Sequence, residues 1–401
     1  MAEVHGSCDS AFHSVRDLLQ QRLAEGNEVG ASLCVNVDGK NVVDIWGGHE
    51  DAGQTKPWDK ETITSIWSTT KVVTSLAALI LVNRGQLDLN ENVATYWPEF
   101  AANGKENIKV FQILSHSSGV ITLDRDLTPE EMQHREELVV KVALELQDEE
   151  KITARLAEQA PWYTPGSQSA YMGTMYGHLV GKIIRCVTGK SLSQFITEEI
   201  TEPLGADFWL GVPEEELSRT ADIIPFPLDQ VFPLTALDPT SILGRVMRSS
   251  LVYPTIPNKD AIRKSHNGSM GGFSNARAMA RIASIVSLDG TVEGKQYLSP
   301  QTVDEMMRER IRGFDMCLNG KVCFGLGVAR PWSESVHPLI PEEDGVCFWS
   351  GYGGAFVIMD RRRRMTISYI MNKLENRPAG SSNFDLYLPE IKKCFPEYAK
   401  A

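Results

Sequence analysis

Apolar residues fall into short runs at both ends of this chain and into helical repeats through its middle. Near the start, Gly30–Val37 and Asn41–Trp46 are β-rich runs flanking Asp38-Gly39, and Asp-Gly between two such runs is a strong hairpin signal. Val72–Arg84 has another pattern. Val72, Val73, Leu76, Ala77, Leu79, Ile80 and Leu81 leave almost no polar face, which predicts a buried helix with Gly85 as its stop. Apolar residues at helical spacing predict further helices over Val139–Leu146 and Tyr176–Val187, and another helix is expected over Asn275–Ser287. The last part returns to short apolar runs, Cys323–Ala329, Val346–Ser350, Ala355–Met359 and Met365–Met371, before a closing helix over Asp385–Phe395. Asp222–Pro257, rich in proline and poor in periodicity, reads as long surface loops that could line a cleft.

Strands at both ends with helices between them predict an α+β fold. One antiparallel sheet is assembled from both ends of the chain and flanked by the first and last helices. Residues 1–85 and 260–401 then form a discontinuous sheet lobe, and 86–259 an inserted, mostly helical lobe with long loops. The cleft between lobes is where a site is expected.

The bulk numbers narrow the function. The chain has 401 residues, 42% hydrophobic and 23% charged, an ordinary globular composition. Its net charge of −12 argues against a nucleic-acid surface. The one basic run, Arg361–Arg364, lies between two strand-like segments and reads as a solvated hairpin tip. Met1-Ala2-Glu3-Val4-His5 has neither the basic stretch nor the apolar core of a secretory signal. No apolar run is long enough for a bilayer span. The seven cysteines are scattered, odd in number and form no Cys-x-x-Cys pair. Cys34, Cys323 and Cys347 fall inside strand-like runs and read as buried thiols. A reducing, cytoplasmic location is expected. Nothing in the pattern specifies an oligomeric state.

The candidate chemistry begins at Ser68-Thr69-Thr70-Lys71, where a polar stretch gives way to the buried helix. Helical positions three apart share a face, so Lys71 lies beside Ser68. A serine hydroxyl needs a base to become a nucleophile, and burial at a helix start lowers a lysine pKa towards that of a usable base. Tyr171 is the candidate third member: a phenol beside an ammonium is drawn towards phenolate and can shuttle a proton. Tyr163 and Tyr176 are rivals for that role. Trp349-Ser350-Gly351-Tyr352 supplies glycine where a strand could pass close to the nucleophile. The N–H groups of Ser68 and Tyr352 could then form an oxyanion hole. His116, in Leu114-Ser115-His116-Ser117-Ser118-Gly119, reads as a structural histidine bonded to backbone. There is no Gly-x-Ser-x-Gly elbow, no histidine pair at zinc-binding spacing and no phosphate loop. The scheme requires no metal and no organic cofactor.

With these residues in place, the chain resembles the serine β-lactamase and penicillin-binding-protein superfamily. It is most similar to the class C-like branch of family VIII esterases, to which the fungal lovastatin-type acyltransferases are related. The resemblance runs from about Val29 to Lys373. It rests on Ser68-Thr69-Thr70-Lys71, Leu114 to Gly119, Pro165-Gly166 with Tyr171, Pro203-Leu204-Gly205, Gly271-Gly272 before Ser274-Asn275-Ala276, and Trp349-Ser350-Gly351. It implies an acylated Ser68, with Lys71 keeping it deprotonated and Tyr171 as proton shuttle. Trp349, Ser350 and Gly351 stand at the substrate-binding third motif. Two departures matter. Gly173 stands where the lactamases have the asparagine of Tyr-x-Asn, and Trp349 where they have the lysine of Lys-Thr-Gly. Both favour an uncharged small-molecule ester over a β-lactam or a D-Ala peptide. The expected activity is that of a serine esterase. The alternatives are acyl transfer to a secondary-metabolite alcohol and a non-catalytic binding protein on the same fold.

Overall fold

The computed structural model describes residues 3–125, 131, 135–227, 237–249, 252–340, 342–377 and 380–395. Its centre is a nine-stranded antiparallel sheet. Across the sheet the strands run Val4–Cys8, Lys40–Gly48, Gly30–Val37, Met365–Met371, Phe356–Asp360, Val346–Ser350, Ala329–Arg330, Gly320–Phe324 and Ile311–Asp315. The join between the chain's two ends is the pairing of Gly30–Val37 with Met365–Met371, Val35 opposite Ile367. The early hairpin forms as its turn chemistry requires. Val37 pairs with Lys40, and Asp38 and Gly39 take φ of 50° and 82°, as a two-residue type I′ turn demands.

Helices cover both faces of this sheet. On one face Ala276–Ser287 packs against the central strands, with Ser287 Oγ 2.8 Å from Thr366 Oγ1. On the other, Phe384 of the helix Ser382–Lys393 stacks on Phe356 at 4.4 Å, and Tyr387 lies 5.4 Å from Tyr369. Thr366 and Tyr369 are an odd number of residues apart, so they project from opposite faces of one strand. Burial on both sides explains why Phe356–Asp360 and Met365–Met371, buried at every position, read as continuous apolar runs rather than alternating ones.

The helix Thr70–Asn83 is buried at every residue from Thr70 to Leu81. It ends as its sequence predicts. Gly85 takes φ 69°, its N–H donates to the Val82 carbonyl, and the Gln86 N–H donates to the Leu81 carbonyl, both at 2.9 Å. That pair of bonds is a Schellman closure.

Several expectations need correction. Cys323–Ala329 is not one strand: it divides into Gly320–Phe324 and Ala329–Arg330. Between them Gly327, at φ 69°, donates its N–H to the Leu114 carbonyl, and a Cβ there would lie 1.6 Å from Ser75 Oγ. The glycine turns the chain in order to press it against the buried helix. The edge strands Val4–Cys8 and Ile311–Asp315 are largely polar and exposed, so no apolar pattern announced them. The basic hairpin tip is more than a solvated turn. Arg361 binds Asp289 and Asp304, and Arg363, with a side chain only 8% exposed, binds Asp360 at 2.7 Å and Glu343 at 2.8 Å. Asp222–Pro257 contains a helix, Ile242–Ser249; residues 228–236 and 250–251 of that stretch lie outside the described residues. Cys34, Cys323 and Cys347 are buried, and all seven cysteines are free thiols. Among the described residues no helix is long and apolar enough to cross a membrane.

One buried carboxyl ties the sheet to the last helix. Glu28 is 2% exposed and accepts hydrogen bonds from Tyr387 at 2.8 Å and Tyr369 at 2.9 Å. Burial pushes its pKa up to about 7, against the lowering effect of the two phenols. The folded state therefore holds this proton more tightly than the unfolded chain. The resulting stabilisation is present below the ordinary glutamate pKa and is lost as pH rises through about 7. A shift of this size corresponds to about 3 kcal/mol. The unfolding free energy measured in urea should fall between pH 5 and pH 8, and Glu28→Gln should flatten that fall; parallel profiles for the two proteins would contradict the assignment.

Candidate active site

Ser68 lies in a single 3-10 turn, Trp67–Thr69, that runs directly into the helix Thr70–Asn83. It is the only residue from Thr62 to Leu81 that retains partial exposure. The residue before it carries strain: Trp67 has φ 49°, a left-handed conformation that a bulky side chain rarely adopts. Its surroundings hold it there. The indole is buried and packs edge-on against Tyr352 at 5.2 Å. Thr70 Oγ1 donates to the Trp67 carbonyl at 2.5 Å, and Thr69 Oγ1 to the Ile66 carbonyl at 2.7 Å. At this helix start the first N–H groups, that of Ser68 among them, lack the acceptors a helix interior provides.

Lys71 is wholly buried, and its Nζ lies 3.2 Å from Ser68 Oγ. It donates to the Gly173 carbonyl at 2.9 Å and the Ser269 carbonyl at 2.8 Å. Burial pushes its pKa well below the usual lysine range. A neutral amine has two N–H bonds and one lone pair. In that form, with the two carbonyls taking the N–H bonds, the lone pair is left for the Ser68 hydroxyl. The loop carrying Ser269 is itself tied down. Ser269 N–H donates to Asn267 Oδ1 at 2.8 Å, its hydroxyl donates to the Thr174 carbonyl at 2.8 Å, and Gly177 N–H donates to that hydroxyl at 2.7 Å. Gly173 and Ser269 were missed by sequence reasoning because they act through backbone oxygen, which leaves no mark on residue type; the glycine pair Gly271-Gly272 next to the loop was the nearest signal.

Tyr171 stands over the same amine, with Lys71 Nζ 4.7 Å from its ring centroid. Its ring packs against His116 at 4.8 Å and Trp349 at 5.2 Å. Its backbone is fixed on both sides: its own N–H donates to Asp315 Oδ1 at 3.1 Å, and the Met172 N–H donates to His116 Nδ1 at 3.2 Å. The hydroxyl is buried without a hydrogen-bond partner, as is the Trp349 indole N–H. Ser68 and Trp349 are the side chains close enough to stabilise its ionised form, but burial outweighs them and pushes the phenol pKa above its ordinary value. The expected phenolate is thus corrected. Burial disfavours both charged forms, lowering the Lys71 pKa and raising that of Tyr171. The rival phenols are engaged elsewhere, Tyr163 with the His116 carbonyl at 3.3 Å and Tyr176 with Ser75 Oγ at 2.6 Å.

The strand Val346–Ser350 ends beside the turn that carries Ser68. A Cβ on Gly351 would lie 2.5 Å from the Ile66 carbonyl oxygen and 3.1 Å from Thr69 Oγ1, so the close approach requires glycine. Trp349 projects towards Tyr171 and Phe324. Ser350, expected beside the substrate, projects from the opposite face, where its hydroxyl lies 3.5 Å from His337 Nε2. Tyr352 follows the glycine, half-buried between Trp67 and Phe226. A Cβ at Gly173 would meet no atom within 4 Å, so open space adjoins the backbone that holds Lys71.

Known proteins share this framework. The beta-lactamase family model matches residues 15–388. The chain is 29% identical over 323 residues to Esterase/beta-lactamase LipL of Mycobacterium tuberculosis, covering 77% of this chain and 70% of that protein. Among solved structures it superposes on a family VIII carboxylesterase with a TM-score of 0.86 at 29% identity, covering 98% of this chain and 100% of the other. A penicillin-binding-protein homologue from Caulobacter crescentus gives a TM-score of 0.82 at 29% identity over 98% and 99% of the two chains. An acyl-transfer chemistry built on an activated serine accounts for why a strained turn, a desolvated amine and an unpartnered phenol meet at one point, and the chain belongs to the beta-lactamase family as a serine hydrolase or acyltransferase.

Proposed function

We propose that this protein is an esterase that cleaves uncharged carboxylic esters through an acyl-enzyme on Ser68. The observation that carries the reading is the wholly buried Lys71 amine, 3.2 Å from Ser68 Oγ with its N–H bonds committed to two carbonyls. In this reading Lys71 accepts the Ser68 proton as Oγ bonds to the ester carbonyl carbon. The carbonyl oxygen becomes an oxyanion, held by the Ser68 and Tyr352 N–H groups. As the C–O bond to the alcohol breaks, Tyr171 gives its proton to the departing oxygen and regains one from the Lys71 ammonium. Water then attacks the acyl carbon by the reverse sequence, releasing the acid and restoring Ser68. The substrate class follows from the walls. Trp349 packs on Tyr171, and Tyr352 packs between Trp67 and Phe226; these aromatic side chains suit an apolar acyl or alcohol group, and none of them offers a cation to a carboxylate.

Four outcomes test this reading. Ser68→Ala should form no covalent adduct with p-nitrophenyl butyrate by intact-mass measurement, and an adduct on the variant would refute the nucleophile. Acylation needs neutral Lys71, so kcat/KM should rise with pH through an ionisation well below that of an ordinary lysine. Lys71→Ala should lose roughly 10²–10⁴-fold, and near-normal turnover would remove its role as base. Tyr171→Phe should lower kcat by a similar factor while Tyr176→Phe leaves it within severalfold; the reverse order would transfer the proton relay to Tyr176.

A further inference from the structure

Three consecutive backbone N–H groups, those of Ala170, Tyr171 and Met172, are held by residues from distant parts of the chain. Ala170 N–H donates to the His116 carbonyl at 3.0 Å, and Met172 N–H to His116 Nδ1 at 3.2 Å. Between them, Tyr171 N–H donates to Asp315 Oδ1 at 3.1 Å. Asp315 ends the strand Ile311–Asp315 at the edge of the sheet, 144 residues away. It is 0% exposed, in a strand whose other residues are exposed or half-buried. An aspartate is rarely buried so completely unless its carboxyl is engaged.

Part of that engagement is local. Oδ1 also accepts from Cys317 N–H and Leu318 N–H, both at 2.9 Å, within the turn that joins Ile311–Asp315 to Gly320–Phe324. An aspartate side chain bonded to backbone two and three residues on is a common turn device, and it needs no burial. Two further bonds go beyond the turn. Met316 N–H donates to the Ser169 carbonyl at 3.1 Å, and Tyr171 N–H completes the set on Oδ1. The turn is thereby docked on the segment that bears the phenol. Oδ2 is buried and, among the described residues, makes no hydrogen bond of normal geometry; the Ser169 hydroxyl lies beside the carboxyl. Burial pushes the Asp315 pKa up, against the lowering effect of the backbone N–H groups and that hydroxyl. His116 thus holds the residues on either side of Tyr171, and Asp315 holds Tyr171 itself.

We propose that Asp315 is a positioning residue for the ester reaction: its buried carboxyl clamps the Tyr171 backbone so that the phenol is aimed at the departing oxygen of the substrate. The proposal rests on the esterase reading, in which Tyr171 gives its proton to the alcohol as the C–O bond breaks. Asp315 acts through Tyr171 and takes no proton itself.

The test compares kcat/KM of the full-length protein on two esters of one acid, with rates taken per active site titrated by acylation. p-Nitrophenolate departs without a proton, whereas the alcohol of ethyl butyrate needs one. A misaimed phenol therefore slows ethyl butyrate more than p-nitrophenyl butyrate, while a general loss of structure slows both alike. Asp315→Ser keeps an oxygen for the local turn, because serine makes the same turn more weakly, and withdraws it from Tyr171. It should lower kcat/KM for ethyl butyrate by roughly 10–10²-fold, the cost of a displacement of about 1 Å, and that for p-nitrophenyl butyrate by no more than about twofold. Asp315→Glu, which keeps a carboxyl but shifts it by one methylene, should show the same imbalance and replaces the serine variant if that one does not fold. Tyr171→Phe, measured alongside, should show the imbalance too. Adding Asp315→Ser to it should cost little more, because the group that Asp315 aims is then gone. If Tyr171→Phe shows the imbalance and the folded Asp315 variant loses equally on both esters, or on neither, the proposal is overturned while the esterase reading stands. If Tyr171→Phe shows no imbalance, the proton relay fails and the proposal fails with it.

Discussion

The structure turns on one desolvated amine. Lys71 is a long cationic side chain in an interior that excludes water, where an unpaired charge is far more costly than a neutral polar group. The fold meets that constraint by giving the amine two carbonyl acceptors and, among the described residues, no carboxylate partner. A carboxylate would have stabilised the ammonium and removed the lone pair. Two neutral acceptors orient the amine and leave it basic. The direction of the amine is thus set by backbone oxygens from Gly173 and Ser269, segments far apart in the chain.

The rest of the site follows from how closely backbones must approach that amine. The turn bearing Ser68 is pushed into a strained conformation at Trp67, which only a surrounding lattice of packed side chains can maintain. Gly351 lets the end of a sheet strand reach the Ile66 carbonyl, and Gly327 lets a loop reach Ser75 on the same helix. Any side chain at these positions would occupy space already taken by backbone or by a buried hydroxyl. The glycines therefore set the spacing between sheet and helix on which the placement of Ser68 depends.

Around Lys71 and Tyr171 lies an aromatic cluster in which each ring has a mechanical task. His116 packs against Tyr171, Tyr176 and Phe324 and accepts the Met172 N–H, fixing the backbone that carries Tyr171. Trp349 closes the other side of the phenol. Its indole N–H and the Tyr171 O–H are both buried and unpartnered.

Much of this was legible from residue order alone. The hairpin at Asp38-Gly39, the buried helix closed by Gly85 and the central strands are local consequences of turn chemistry and apolar pattern. The pairing of Ser68 with Lys71 follows from helical spacing. Edge strands such as Ile311–Asp315 escaped because exposed, polar segments carry no apolar signature. Residue type could not show that Gly173 and Ser269 offer carbonyls to Lys71, that burial keeps Tyr171 protonated, or that Ser350 and Trp349 project to opposite faces. Periodicity and turn chemistry act between near neighbours and are written in residue order. Desolvation, and the meeting of backbone atoms from distant segments, exist only once the chain has packed.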